Sequence, residues 1–159
     1  MKVMYSGSFD PITCGHLDII KRCSAKFDNV KVVVFDNYSK DHSFSVKERY
    51  ELVKEATKDI TNVEVDIATG MLVDYAKKYN IEVVIRGLRA VSDYEYEIKV
   101  ASMNKFLHEG LETFFMLASP NFSFLSSSVV KEIAKLGGDI DGLVPENVKK
   151  ALEKKYKGE

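Results

Sequence analysis

The densest chemistry in the sequence lies in Tyr5-Ser6-Gly7-Ser8-Phe9-Asp10-Pro11-Ile12-Thr13-Cys14-Gly15-His16. A short apolar run, Val3–Tyr5, precedes it, Gly7 permits a turn, and Gly15 and His16 arrive where helical periodicity begins. A helix N-terminus offers unpaired N–H groups and about half a positive charge, glycine lets an anion approach the backbone, and histidine donates to oxygen. Together these residue types suit a phosphate group. A strand, a loop and a helix carrying a surface histidine fit the same residues.

Three more groups could meet an anion. Arg86 directly follows Val83-Val84-Ile85, and Arg89 stands three residues on. An arginine fork makes paired, charge-assisted bonds to phosphate, although Asp93, Glu95 and Glu97 could engage either residue in structural ion pairs. Lys40 sits in the polar stretch Asn-Tyr-Ser-Lys-Asp-His and, on its own residues, reads as a solvated loop charge. Ser126-Ser127-Ser128 opens a helical pattern; one serine there is an ordinary N-cap, and three hydroxyls with free N–H groups could bed a polyphosphate.

Other chemistries lack their residues. Cys14, Cys23, His42 and His108 do not have zinc-ligand spacing. There is no Gly-x-Gly-x-x-Gly after the first strand, no P-loop and no nucleophile elbow.

The elements that must position these residues alternate along the chain. Strands are expected at Val3–Tyr5, Val30–Phe35, Val63–Ile67, Glu82–Ile85 and Thr113–Leu117, and amphipathic helices at about 17–27, 46–58, 71–79 and 93–108. Short β-branched runs with nearly continuous hydrophobicity are those of a parallel sheet covered on both faces. The expectation is a doubly wound, Rossmann-like α/β fold with a five-stranded parallel sheet, in one domain over 1–159. Two further helices, Ser126–Leu136 and Pro145–Tyr156, form a C-terminal helical extension. Ligands of open parallel sheets bind beyond the carboxyl ends of the strands. Ser6–Ser8, Asp36–Lys40, Thr69–Leu72, Arg86–Arg89 and Ser119–Ser128 each follow a strand, so all gather at one edge.

Composition bounds the rest. The net charge of −1 argues against a nucleic-acid surface, so any anion must be met by a local cluster. Two cysteines nine apart are no disulfide framework. No apolar run approaches a membrane span, and the expected location is the cytoplasm.

Thr13-Cys14-Gly15-His16 resembles the (His/Thr)-x-Gly-His signature of the nucleotidyltransferase superfamily. The runs Arg86-Gly87-Leu88-Arg89-Ala90-Val91-Ser92-Asp93-Tyr94-Glu95-Tyr96-Glu97 and Phe122-Ser123-Phe124-Leu125-Ser126-Ser127-Ser128 are similar to those of bacterial phosphopantetheine adenylyltransferases. That resemblance implies transfer of the adenylyl group of ATP to 4′-phosphopantetheine, giving dephospho-coenzyme A and pyrophosphate, with Mg²⁺ held mainly by the phosphates and a homohexameric assembly. It implies His16 at the α-phosphate, Ser8 against both substrates, Lys40 and Arg86 on the acceptor phosphate and Leu72 on the pantetheine arm. ATP would meet Phe9, Gly87, Leu88, Arg89, Glu97 and Phe122–Ser128, including Ser123, Phe124, Leu125, Ser126 and Ser127. The sequence departs from the pattern at Asp41 and His42, where a second cation and a proline are common, at Ser8 in place of threonine and at Phe122 in place of tryptophan. Phe122 and Phe124 could shape an adenine slot or belong to the core. Two alternatives stand beside this reading: another nucleotidyltransferase, acting on nicotinamide mononucleotide or glycerol phosphate, and a non-catalytic nucleotide-binding module.

Overall fold

The structure, a computed structural model, describes residues 1–158. Five parallel strands, β1 (Lys2–Gly7), β2 (Asn29–Asp36), β3 (Val63–Thr69), β4 (Val83–Leu88) and β5 (Glu112–Leu117), form one sheet in the order β3-β2-β1-β4-β5. Helices α1 (Cys14–Ser24), α2 (Val46–Ala56), α3 (Leu72–Lys78) and α4 (Val91–Leu107) connect them, and α5 (Ser127–Lys135) and α6 (Glu146–Lys157) follow the last strand. This is the expected α/β Rossmann-like arrangement with a C-terminal helical extension.

Alternation along the strands divides the core between the two faces. Val3, Tyr5, Val32, Val34, Val83 and Ile85 point to the face covered by Ile19 and Ile20 of α1, Val53 of α2, Val130 of α5 and Val148 and Leu152 of α6. Met4, Val33 and Val84 point the other way, against Val73, Tyr75 and Ala76 of α3. The extension is therefore part of the sheet's cover. At the end of α5, Gly137 takes φ 74°, and the Gly138 amide returns to the Ile133 carbonyl at 2.9 Å, a glycine-terminated helix end as the Gly-Gly pair implied.

Two of the differences from the expected element boundaries matter for the site. α1 starts at Cys14 rather than near residue 17, because Thr13 caps it. β4 runs to Leu88 rather than stopping at Ile85, because β5 offers continued pairing: Arg86 opposite Phe115, Gly87 opposite Met116 and Leu88 opposite Leu117. Arg86, Gly87 and Leu88 are thus strand residues, held by a ladder, not loop residues.

A buried arginine fastens the carboxyl edge. Arg49, on α2, is 0 % exposed. Its Nε donates to the Phe44 carbonyl, its Nη1 to those of Ser8 and Phe35, and its Nη2 to Asp36 Oδ1, over 2.8–3.2 Å. One guanidinium thereby joins the β1–α1 loop, the end of β2 and the entry to α2. Arg49→Met removes these bonds and strands Asp36 and three carbonyls, so it is expected to cost about 3–5 kcal/mol. Urea unfolding of the variant measures this, and a loss below about 1 kcal/mol contradicts the bracing role.

Candidate active site

β1 and β4 pair only through Val3–Tyr5 and Val83–Ile85, whereas β1 stays with β2 to Gly7 and β4 with β5 to Leu88. Beyond Tyr5 and Ile85 the two strands part, at the point where the chain's winding reverses. A cavity of about 290 Å³ lies there, bounded by β1, β4, the start of α1 and the start of α5. Its lining includes Ser8, Phe9, Thr13, Gly15, His16, Arg86, Gly87, Arg89, Phe122, Leu125, Ser126 and Ser127.

The Thr13–His16 turn sets the histidine's chemistry. Thr13 Oγ1 accepts from the His16 amide at 3.4 Å, and in return the Thr13 amide donates to His16 Nδ1 at 3.0 Å. An Nδ1 that accepts from a backbone N–H carries no proton, so the neutral ring has its hydrogen on Nε2. Phe9 packs edge-on against the ring, with centroids 5.2 Å apart. Burial, with Arg89 and Arg86 nearby, pushes the His16 pKa down to about 4. At neutral pH the cavity therefore meets an uncharged N–H donor in fixed orientation.

The arginines are less free than their sequence positions suggest. Arg86 Nε and Nη2 grip both oxygens of Glu97 at 2.8 and 2.7 Å, and Nη1 donates to the Ser6 carbonyl and hydroxyl at 2.8 and 3.2 Å. Of the five guanidinium hydrogens, this leaves one, on Nη2. Arg89 closes on Asp93 through Nε and Nη2, and its Nη1 donates to the Leu125 carbonyl at 2.7 Å. The ion-pair alternative holds for both side chains, yet both still line the cavity. A Cβ at Gly87 would lie 2.6 Å from Ile19 Cδ1, so a larger residue there makes the end of that side chain shift.

At the opposite wall, Ser126 caps α5 by accepting from the Val129 amide at 3.2 Å, and the Ser127 hydroxyl donates to the Pro11 carbonyl at 2.8 Å. The Ser126 hydrogen and the first amides of α5, which have no intrahelical partner, remain for an anion. No carboxylate lines the cavity among the described residues, and these residues contain no group of three or more His, Cys, Asp or Glu side chains placed to hold a metal ion.

The profile of the cytidylyltransferase-like family matches residues 4–133. The chain belongs to that family. Its fold is similar to the crystal structure of a protein described as a nicotinate-nucleotide adenylyltransferase from Vibrio parahaemolyticus, with a TM-score of 0.72 and 17% identity, covering 99% of this chain and 96% of that one. No helix is long and apolar enough to cross a membrane among the described residues.

In this cytidylyltransferase-like domain, ten of the residues singled out from the sequence meet at the cavity: Ser8, Phe9, His16, Arg86, Gly87, Arg89, Phe122, Leu125, Ser126 and Ser127. Seven do not line it. Lys40 is exposed on the β2–α2 loop, and Leu72 begins α3 and packs beside the core cluster of that face. Leu88 ends β4, Ser123 and Ser128 are exposed, and Phe124 is 64% exposed. Glu97 is buried with both oxygens on Arg86, so it orients the arginine from outside the lining. Sequence reasoning passed over Thr13 as a donor to His16, Arg49, and Asp10 with Lys131. The Ser/Thr-x-x-His spacing could have indicated the first, as a variant of the capping box. The other two depend on contacts between distant segments.

The histidine assignment has a pH signature. A folded-state pKa near 4 against about 6.5 in the unfolded chain means that the folded protein binds fewer protons between these values. The contribution to stability is complete above about pH 6.5 and is lost as pH falls toward 4. Nitrogen chemical shifts of the ligand-free protein should show His16 neutral with its hydrogen on Nε2 throughout pH 5.5–8. A doubly protonated ring at pH 6 is incompatible with this geometry.

Proposed function

We propose that the protein transfers the adenylyl group of ATP to 4′-phosphopantetheine, releasing pyrophosphate. The observation that carries the transfer chemistry is the Thr13–His16 turn: a neutral Nε2–H donor at the mouth of a helix, in a cavity whose remaining polar groups are donors as well. Such a site has no nucleophile to offer, and it needs none, because the acceptor's phosphate monoester brings its own attacking oxygen. That oxygen forms a bond to the α-phosphorus of ATP as the bond to the bridging oxygen breaks, and pyrophosphate leaves.

The protein's part is to bring two anions together and to stabilise charge developing at the attacked phosphorus. His16 Nε2–H donates to an α-phosphate oxygen. The Ser126 hydroxyl and the α5 amides, with Arg89, take the departing phosphates, and Gly7 and Gly15 let phosphate approach the backbone. Ser8, the remaining hydrogen of Arg86, and Lys40 from its loop meet the acceptor phosphate, with Leu72 toward the pantetheine arm. Mg²⁺ would be held by ATP phosphates and water, since the lining carries no carboxylate; it supplies charge neutralisation of the polyphosphate when bound.

The pantetheine acceptor rests on the Arg86–Glu97 and Phe122–Ser128 runs. A second reading, a pyridine mononucleotide acceptor, is favoured by the name of the similar Vibrio protein. Self-association belongs to the proposal too. Val91, Tyr96, Met103 and Phe106 of α4 are 77%, 67%, 57% and 85% exposed, an apolar face of the kind that marks a protein contact, and a hexamer is what the resemblance implies. The two cysteines are free, as suits a reducing cytoplasm.

Purified protein with Mg²⁺ and ATP should release pyrophosphate with 4′-phosphopantetheine and not with nicotinate or nicotinamide mononucleotide, nor with glycerol 3-phosphate and CTP. Turnover confined to one of these other acceptors overturns the substrate; ATP binding without turnover overturns the enzyme. His16→Ala should lower kcat about 10²–10³-fold, roughly 3–4 kcal/mol, with ATP affinity nearly intact. A variant that folds and turns over normally removes His16 from the mechanism.

A further inference from the structure

Asp10 stands between Phe9, which lines the cavity, and Thr13, which orients His16, yet its side chain faces away from the site. Its carboxylate is 7% exposed. Oδ1 accepts from the Phe44 amide at 2.9 Å; Oδ2 accepts from the Ser43 amide at 2.9 Å and from Lys131 Nζ at 2.9 Å. His42 Nδ1 lies 3.7 Å from the same oxygen. Burial by itself would favour the protonated acid. The Ser43 and Phe44 amides and Lys131 outweigh it and hold the pKa below the usual carboxylate range, so the group is charged.

Three segments meet at this carboxylate: the β1–α1 loop, the entry to α2 and helix α5. The second of these ends the loop that carries Lys40. Within that loop the polar bonds are local: the Ser39 amide and hydroxyl donate to Asn37 Oδ1, and the Lys40 amide to the Asn37 carbonyl. They shape a turn without fixing it in space. What fixes the loop is its two ends, one held at Asp36 by Arg49 and the other at Ser43 and Phe44, where Asp10 accepts from both amides and Arg49 donates to the Phe44 carbonyl.

We propose that Asp10 is a positioning residue that registers the Lys40 loop against the phosphate-binding turn, so that the lysine reaches the acceptor phosphate. This rests on the reading of Lys40 as an acceptor-phosphate contact. The chemistry needs a carboxylate in particular. Two amides and an ammonium converge on it, and only an acceptor at both oxygens with a full charge satisfies all three. An asparagine keeps one acceptor and turns an NH₂ either toward the Phe44 amide or toward the Ser43 amide and the Lys131 ammonium together, donor against donor. Lys131 has a separate duty, joining α5 to the same carboxylate, and its removal leaves both backbone bonds in place.

The test combines amide exchange with kinetics on Asp10→Asn, Lys131→Met and the double variant Asp10→Asn/Lys131→Met. In Asp10→Asn the backbone amide left facing the NH₂, that of Ser43 or that of Phe44, should exchange about 10-fold faster or more while β1 and β2 amides keep their protection. The KM for 4′-phosphopantetheine should rise about 10–100-fold, with the KM for ATP and kcat within about 3-fold. Lys40→Ala should then cost far less on the Asp10→Asn background than in the wild type, because the two act in series. Lys131→Met should leave the acceptor KM within about 3-fold. Should Asp10→Asn not fold, the double variant, which buries no unpaired ammonium, must show the same exchange and KM changes.

Unchanged protection at both Ser43 and Phe44, additive effects of Asp10 and Lys40, equal rises in both KM values, or an acceptor KM raised as much by Lys131→Met each overturn the proposal. Wild-type protein that does not use 4′-phosphopantetheine defeats the functional reading instead, and the exchange data still decide whether Asp10 holds the loop.

Discussion

Two parallel strands that must part are the constraint on which the site depends. β1 belongs to one half of the sheet and β4 to the other, and their pairing ends at Tyr5 and Ile85 while each continues with its outer neighbour. Backbone groups at Ser6, Gly7 and Ser8 then face a gap, and a buried carbonyl without a partner costs about 1–3 kcal/mol. The protein fills those needs with long cationic side chains from elsewhere: Arg86 reaches the Ser6 carbonyl and Arg49 that of Ser8. Arg86, which repairs the gap in the sheet, thus also sets a hydrogen-bond donor at the opening. A phosphate site is the natural tenant of such a place, since glycine, helix starts and donors are there for structural reasons already.

Charge at the cavity is directional more than abundant. Arg86 is engaged by Glu97 and Arg89 by Asp93, and His16 is neutral at neutral pH. A carboxylate that grips an arginine at two points removes its freedom to turn, and a donor that does not have to reorient when charge develops is worth more than a mobile one. Arg86, 26% exposed, is so placed that one hydrogen still points beyond its partners. The overall charge of −1 fits a protein that holds its anions by local geometry and not by a broad positive field.

The sheet was legible in the sequence because its strands are short, β-branched and apolar throughout, a pattern that only a sheet covered on both sides requires. The convergence of the motifs followed from strand order alone. Misplaced boundaries came from interactions that the local pattern does not carry: β4 extends through Arg86, Gly87 and Leu88 because β5 is beside it, and α1 begins early because Thr13 and His16 cap it reciprocally. Arg49 reads as an ordinary charge on the polar face of α2, and nothing in Val-Lys-Glu-Arg-Tyr-Glu shows that three carbonyls and Asp36 await it. Asp10 is hidden in the same way, since its partners lie 33 to 121 positions away. Glu97 was legible as a partner of Arg86, and the geometry shows that pairing.

The groups along the sheet's edge fall into two sets, those that line the cavity and those that follow β2 and β3. Donors that face the cavity come from β1, β4 and the starts of α1 and α5, and several of them are backbone groups, which tolerate side-chain change. A structure 17% identical to this chain shares the fold across 96% of its length, so the fold survives replacement of most side chains. Lys40 and Leu72 lie outside the cavity, after β2 and β3, on segments that the sheet's parting does not constrain. Changes there would leave the groups that line the cavity in place. The one requirement is that such a segment be registered to the phosphate turn, and a single buried carboxylate between the two is an economical way for a loop to vary in sequence while its end stays fixed.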